Sequence, residues 1–244
     1  MIRIIVGKPG AGKTLFVVRE LFALRRRDPR RRIVSNIPLS DTAMKALSPY
    51  YHISDLKGGG RFWENSPGES SIYLDEGQLL FDAKDFAELH RRTPELRAYL
   101  SHIRHFRDEL TVISHDVGHI DKRIRDLASV FVWMRSTESI LRVMGLKRPS
   151  WVPQIFFAST YYDPDMTERM GFTIFRGSSE LYESYDSYSL RDMDCVRRLD
   201  VSSDSSLFQT EANHVEVRGV GSGSFKAVEV LIWVAVFAAL FVSF

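Results

Sequence analysis

Short apolar runs rich in β-branched residues recur along the first part of the chain, separated by segments with helical spacing. The first run is "IRIIV" at residues 2–6. In the segment after residue 12, apolar residues recur at helical spacing, at Leu15, Val18, Leu21 and Phe22. Further strand-like runs are "RIVSNIPL" (32–39), "SSIYL" (70–74), "LTVIS" (110–114) and "SVFVWM" (129–134). The pattern predicts an α/β domain with a mainly parallel sheet.

The loop between the first strand and the first helix reads "GKPGAGKT" and fits the pattern G-x-x-x-x-G-K-[ST]. Its glycines let backbone N–H groups close around a phosphate, and the following helix presents its positive N-terminus to the anion. We expect Lys13 to reach the β- and γ-phosphate oxygens and the Thr14 hydroxyl to ligate Mg²⁺. The predicted nucleotide-binding residues are Gly7, Lys8, Pro9, Gly10, Ala11, Gly12, Lys13, Thr14 and Leu15.

A second, acidic strand end follows in "SSIYLDEGQLLF", residues 70–81. Asp75 is expected to hold Mg²⁺ through water, and Glu76 to orient and polarise the attacking water as the catalytic base. Alone, such a pair also fits a solvated strand end. Together with the glycine-rich loop it predicts a P-loop NTP hydrolase, an ATPase that uses ATP and Mg²⁺.

A histidine ends the strand "LTVIS". His115 occupies the position at which a polar residue of a P-loop sheet faces the γ-phosphate, where it can sense hydrolysis. A purely structural histidine is the alternative interpretation.

Composition adds limits on partners and compartment. The net charge is +2, so no bulk electrostatic argument for nucleic acid follows from it. Cys195 is the only cysteine, which excludes an intramolecular disulfide and fits a reducing compartment. The cationic segment "RRRDPRRR" (25–32) fits either a solvated helix end or a contact with lipid phosphate or nucleic acid.

After residue 150 the sequence becomes rich in aromatic residues. The aromatic segments "WVPQIFFASTYYD", "GFTIFRGS" and "LYESYDSYS" are predicted to add strands to the domain, which we place at residues 1–199. Residues 200–226, rich in Ser and Gly, are predicted to form a linker. The run "AVEVLIWVAVFAALFVSF", residues 227–244, predicts one transmembrane helix rather than a buried core helix. Lys226 and Arg218 precede it, which puts the N-terminal domain in the cytoplasm.

Several blocks of the chain, taken in order, resemble the Zot (zonula occludens toxin-like) family and, within it, the filamentous-phage assembly ATPase. The resemblance spans roughly residues 1–190 and the single membrane span. It rests on "GKPGAGKT", "YLDEGQLLF", "SHIRHFRDELTVISHD", "HIDKRIRD" and "LYESYD".

The resemblance implies an FtsK/HerA-like, ring-forming ATPase in the host cell inner membrane, with its N-terminal domain in the cytoplasm. Such a ring, with a hexamer favoured over a pentamer, would drive phage extrusion. The implied partners are phage coat proteins, the phage single-stranded DNA complex, an outer-membrane secretin-like channel and inner-membrane lipids.

Rings of this class complete a site with an arginine from the neighbouring subunit. The candidates are Arg104, Arg107, Arg123 and Arg125, and Arg104 is preferred as the catalytic arginine in trans. Two rival functions remain open. Lys8 has the spacing of the extra lysine in a deviant P-loop partitioning ATPase that acts as a dimer. The family name also suggests a toxin-like secreted protein.

Overall fold

The structure is a computed structural model that describes residues 1–54, 62–63, 68–82, 94–143, 145–149 and 152–185. The chain divides into two units, Met1–Ser189 and Leu190–Phe244, and the described residues all belong to the first. The predicted linker 200–226 and the predicted span 227–244 lie outside the described residues. Within the described ranges, no helix has both the length and the apolar character needed to cross a membrane.

One eight-stranded sheet forms the centre of the described unit, with the strand order β3-β2-β4-β5-β1-β6-β7-β8. The strands are β1 Ile2–Val6, β2 Arg32–Ser35, β3 Tyr50–His52, β4 Ser70–Leu74, β5 Glu109–Ser114, β6 Ala128–Ser136, β7 Ile155–Tyr161 and β8 Arg169–Arg176. The first six strands pair in parallel, and β7 and β8 continue the sheet antiparallel. The prediction of a mainly parallel α/β fold is confirmed.

The described helices are α1 Lys13–Arg27, α2 Asp41–Ala46, α3 Gln78–Phe81, α4 Pro94–His102, α5 Lys122–Leu127, α6 Thr137–Val143 and α7 Ser179–Glu183. A short 3-10 helix, Val117–His119, follows β5. Two apolar clusters cover the two faces of the sheet. The apolar side of α1 belongs to one cluster and that of α4 to the other, so strands between them are buried on both faces, as parallel strands require.

The parallel pairing brings the carboxyl ends of several strands to one edge of the sheet. Val6, the last residue of β1, pairs with Ser114 at the end of β5 and with Trp133 near the end of β6. The loops that leave β1, β2, β4 and β5 therefore start side by side. Ligands of open α/β sheets bind at this carboxyl edge.

The prediction of a strand at "LYESYDSYS" is wrong for its first residues, because these belong to the helix α7. The Ser178 side chain accepts a hydrogen bond from the Leu181 backbone N–H and caps this helix. Leu181 packs against the same apolar cluster as α1. The cap and this contact outweigh the strand propensity of the tyrosines, while residues 186–189 lie outside the described residues.

Candidate nucleotide-binding site

The glycine-rich loop is held tightly against the sheet. Gly12 adopts a φ of 83°, in the left-handed region that favours glycine. A Cβ at Gly12 would lie 2.3 Å from the Phe156 ring of β7, so the close approach also requires glycine. The Ala11 N–H donates to the Lys8 carbonyl at 3.0 Å, and the Ser136 hydroxyl donates to the Gly10 carbonyl at 3.1 Å. The loop is therefore fixed from both β6 and β7.

Lys13 begins α1, and its ammonium group lies over the loop. Nζ donates to the Gly7 carbonyl at 2.8 Å and to the Lys8 carbonyl at 3.4 Å. Burial lowers the pKa of Lys13 from its ordinary value, and the charges of Asp75 and Glu76 oppose that shift. The carboxylates therefore help to keep a buried cation in place where phosphate oxygens are predicted to bind.

Thr14 and Asp75 meet across the site. The Thr14 hydroxyl donates to Asp75 Oδ2 at 2.8 Å, which joins the first turn of α1 to the end of β4. Burial raises the pKa of Asp75, the Thr14 hydrogen bond opposes that rise, and the charge of Glu76 adds to it. A hydroxyl and one carboxylate are hard oxygen donors, and Mg²⁺ in phosphate sites is held by one or two carboxylates together with phosphate and water. The pair fits the predicted Mg²⁺ ligands.

Asn36 positions Asp75, and the sequence reasoning missed it. The Asn36 side chain accepts from the Asp75 N–H at 2.6 Å and donates to the Asp75 carbonyl at 2.8 Å. Asn36 directly follows β2, the neighbour of β4 in the sheet. A polar residue after an apolar strand was the available signal, but its partner became visible only with the strand order.

Glu76 has a left-handed backbone conformation, with a φ of 52°, which is uncommon for a non-glycine residue. Its backbone N–H donates to Asp75 Oδ1 at 2.9 Å. Its carboxylate accepts from the Gln78 side chain and lies 3.3 Å from His115 Nε2. Gln78 is a second contact that the sequence reasoning missed.

His115 joins the two charged groups of the site. Its Nδ1 lies 3.3 Å from Lys13 Nζ, and its Nε2 lies 3.3 Å from Glu76 Oε2. An ammonium group can only donate, so Nδ1 must accept, which places the ring proton of a neutral imidazole on Nε2. Nε2–H then donates to the Glu76 carboxylate. A continuous chain therefore runs from Lys13 through His115 to Glu76.

Arg104 lies at the opposite edge of the sheet. It belongs to the turn between α4 and β5, close to the N-terminal ammonium of Met1, which donates to the Asp108 carbonyl at 2.7 Å. The structure thus brings Lys13, Thr14, Asp75, Glu76 and His115 together and places Arg104 away from its own subunit's loop. Its action on a neighbour's nucleotide stays a prediction.

Comparison with known proteins gives one family and several remote structures. The family model described as "Zonular occludens toxin (Zot)" matches residues 1–191. The N-terminal domain of zonular occludens toxin from Neisseria meningitidis is 19% identical, with 76% of this chain and 98% of that chain covered and a TM-score of 0.45. Among curated proteins, none matches this sequence.

Two further structures have similar scores. The genome packaging NTPase from Sulfolobus turreted icosahedral virus 2, in complex with ATP-γS, is 14% identical, with 72% of this chain and 97% of that chain covered and a TM-score of 0.46. A flagellar accessory protein from Methanocaldococcus jannaschii is 11% identical, with 72% and 85% covered and a TM-score of 0.41.

Proposed function

The chain belongs to the zonular occludens toxin family, and we propose that it is the membrane-anchored ATPase that drives assembly and extrusion of filamentous phage. The enzyme class is that of a P-loop ATPase. The single observation that carries the ATPase part of the proposal is the network at the carboxyl edge of the sheet, in which Thr14 contacts Asp75 and His115 joins Lys13 to Glu76.

The division of labour within the site follows from these contacts. Lys13 exchanges the Gly7 and Lys8 carbonyls and His115 Nδ1 for phosphate oxygens when ATP binds. The Thr14 hydroxyl would hold Mg²⁺ directly and Asp75 would hold it through water, and the ion would neutralise the charge that develops on the phosphates. These two groups are already side by side, since the Thr14 hydroxyl and Asp75 Oδ2 lie 2.8 Å apart.

Glu76 acts on the attacking water. Its carboxylate accepts a proton from the water that it orients toward the γ-phosphate. His115 and Gln78 hold this carboxylate from two sides. Because the same imidazole contacts Lys13, the arrival of phosphate at Lys13 changes a contact of the group that holds Glu76. His115 is thereby suited to report the γ-phosphate to the catalytic base.

The remaining parts of the proposal rest on the family and on the sequence. The apolar run 227–244 would anchor the chain in the host inner membrane, with the ATPase domain in the cytoplasm. An FtsK/HerA-like ring, a hexamer in the favoured form, would pass coat proteins onto the single-stranded DNA complex. The growing particle would leave through an outer-membrane secretin-like channel.

Release of phage particles from host cells tests the function. A phage genome lacking this gene is complemented with the full chain, with Lys13→Ala, or with a chain that ends before residue 227. We expect wild-type release, no release with Lys13→Ala, and a soluble protein without release from the shortened chain. Lys45→Ala is the matched control, since Lys45 is an exposed lysine of α2.

Intracellular phage DNA is measured in the same cultures. It should continue to accumulate with Lys13→Ala, because export and not replication is blocked. Wild-type release with Lys13→Ala, or loss of phage DNA as well, would contradict the proposal.

A further inference from the structure

The turn between α4 and β5 presents four consecutive exposed side chains, at Arg104, His105, Phe106 and Arg107. It lies at the amino edge of the sheet, far from the nucleotide loop. An exposed phenylalanine by itself needs no explanation. This one is preceded by Arg104 and His105 and followed by Arg107, in a turn that is firmly anchored on both sides.

Buried groups hold the turn in place. Ile103 and Asp108 flank it and are 4% and 1% exposed. The Asp108 carboxylate accepts from the Ser70 N–H and from the Tyr99 hydroxyl, each at 2.8 Å. The Glu69 N–H donates to the Phe106 carbonyl at 2.8 Å. The exposed side chains therefore project from a fixed backbone.

Phe106 is the outer end of a row of aromatic rings. Phe62, at 0% exposure, meets Tyr99 edge to face at 5.9 Å, and Tyr99 stacks on Phe106 at 5.8 Å with an interplanar angle of 21°. The Phe106 ring is fixed by this stack and yet remains 44% exposed. A flat ligand that stacked on it would extend an existing column, at little cost in side-chain entropy.

Arg31, which belongs to the cationic segment 25–32, contacts the same turn. Arg31 donates to the Ser71 hydroxyl at 2.8 Å and to the Arg107 carbonyl at 3.2 Å, which ties the loop before β2 to the turn. Arg30, the residue before Arg31, is exposed. Part of the cationic segment is thus structural and part faces outward.

Acidic groups are present too, and they do not block the surface. Glu69 pairs with Arg107 at 3.0 Å, and Glu109 lies 3.6 Å from Arg31. The first pair is largely exposed, with 78% of the Arg107 side chain and 68% of the Glu69 side chain accessible. Exposed pairs of this kind contribute little and exchange readily for a phosphate.

We propose that Phe106, Arg107 and Arg30 form a contact site for single-stranded nucleic acid, in which a base stacks on Phe106 and the guanidinium groups bind the adjacent phosphates. Aromatic platforms beside positive charge are how proteins bind single strands without sequence preference. A duplex keeps its bases stacked internally, and a lipid headgroup offers no ring to stack. The inference rests on the proposed function, in which the ATPase works on a single-stranded DNA complex.

Arg104 points to another side of the turn. It lines a cavity of about 310 Å³ with residues of α5 and of the start of β6, such as Asp126 and Ala128. Arg107 instead faces Glu69, just before β4. The predicted role of Arg104 at a neighbour's nucleotide is therefore separable from this surface, and Arg104 is left unchanged in the test.

The test measures binding of a fluorescein-labelled 20-nucleotide oligo(dT) to the full chain in detergent, without nucleotide, by anisotropy. Phe106→Ala should weaken binding about tenfold, the loss expected for one stacked base. Phe106→Tyr should bind like the wild type, because it keeps the ring. Arg30→Ala and Arg107→Ala should each lower the slope of log affinity against log salt by about 0.7.

Matched controls come from elsewhere on the surface. Tyr162→Ala removes an aromatic ring that is 54% exposed, and Arg176→Ala removes an exposed arginine at the end of β8. Both should bind oligo(dT) like the wild type. Thermal melts of every variant check the fold, and the two arginine variants keep the test decisive if Phe106→Ala fails to fold.

Three results would overturn the surface. The first is unchanged oligo(dT) binding in Phe106→Ala and both arginine variants. The second is an equal loss in the controls. The third is a loss confined to flotation on phosphatidylglycerol vesicles, which would make the surface a lipid contact.

Phage release is scored separately. If the chain supports phage release but oligo(dT) binding does not depend on Phe106, only the nucleic-acid site is contradicted. If oligo(dT) binding depends on Phe106 but the chain does not support release, only the proposed phage function is contradicted.

Discussion

At the scale of single residues, the site separates contacts to phosphate from contacts to the attacking water. Lys13 lies over the loop carbonyls, whereas Glu76 is held on the far side of His115. The two charged residues should therefore fail in different ways when they are changed.

We predict that Lys13→Ala loses ATP binding, whereas Glu76→Gln binds ATP and turns it over about 10²–10⁴-fold more slowly. The reason is that Lys13 contacts phosphate already in the ground state and Glu76 acts only on the water. Equilibrium binding of a fluorescent ATP analogue and steady-state phosphate release measure the two effects. Glu180→Gln, an exposed glutamate of α7, is the control. Normal turnover in Glu76→Gln would remove Glu76 as the base.

Asp75 gives a prediction about stability. Its pKa is raised by burial, so the ionised carboxylate costs stability in the absence of Mg²⁺. Asp75→Asn should raise the melting temperature of the nucleotide-free chain at pH 7 by about 2–4 °C for each kcal/mol recovered. The Thr14 hydroxyl can turn and accept from the new amide.

The pH dependence checks the sign. The advantage of Asp75→Asn is complete above the raised pKa of the folded state. It declines as the pH falls through that pKa, and it is gone below the ordinary value of 3.8. Asp163 supplies the opposite case, since hydrogen bonds from the Thr167 and Glu168 N–H groups lower its pKa. Asp163→Asn should lower the stability of the folded chain at pH 7, and this loss of stability should become smaller as the pH falls. If the stability difference from the wild type changed with pH in the same direction for both variants, the opposite pKa shifts of Asp75 and Asp163 would be contradicted.

At the scale of elements, the antiparallel strands β7 and β8 support the nucleotide loop. Phe156 of β7 lies against Gly12 and stacks on Phe175 of β8 at 5.2 Å. Phe175 in turn contacts Phe16 of α1 at 5.6 Å. The C-terminal strands therefore continue the core under the loop and the first turn of α1.

We predict that Gly12→Ala destabilises the chain by about 2–4 kcal/mol, from backbone strain and from the clash with Phe156. Gly10→Ala is the matched control, since Gly10 has a similar φ of 77° but nothing lies within 4 Å of an added Cβ. It should cost about 1 kcal/mol, the strain alone. Urea unfolding measures both.

A double-mutant cycle isolates the contact. Phe156→Ala alone should cost about 3–5 kcal/mol, because it opens a cavity. Together with Gly12→Ala the loss should be smaller than the sum, since the new methyl group then occupies part of that space. Strict additivity would mean that β7 does not support the loop.

At the scale of the whole molecule, the residues predicted to bind phosphate and metal lie together in one subunit. The predicted catalytic arginine of that subunit lies at the opposite edge of the sheet. A neighbour would complete such a site, because an arginine supplied in trans stabilises the charge of the transition state by several powers of ten in rate. Assembly and activity should therefore rise together.

We predict that specific ATPase activity increases with protein concentration and saturates, and that Arg104→Ala is nearly inactive while it still binds ATP. Mixing Arg104→Ala with Glu76→Gln should restore some activity, since interfaces with Glu76 from one subunit and Arg104 from the other are complete. Lys13→Ala mixed with Glu76→Gln is the control. Because those two residues belong to the same site, no mixture restores it. Full activity in monomers would contradict the ring.

The sequence determined the local elements of the site. A β-branched strand, a glycine-rich loop and an amphipathic helix follow one another within the roughly thirty residues of a βαβ unit, so each supports the prediction of the next. Phosphate binding requires Lys13 and Thr14 at their positions in the motif. The position of Asp75 and Glu76 could also be predicted from the sequence, because a carboxylate pair that follows a buried strand lies at the carboxyl edge of a parallel sheet. Each of these signals is short in range.

The tertiary structure decided the contacts that cross between elements. Asn36 holds Asp75, and His115 bridges Lys13 and Glu76, only because β2, β4, β5 and β1 lie in that order. The helix at Ser179–Glu183 replaced a predicted strand because a cap and a core contact outweighed local propensity. The fixed, exposed ring of Phe106 likewise depends on Tyr99 and Asp108 beneath it. Such contacts depend on which segments become neighbours, and hydrophobic periodicity does not encode that choice.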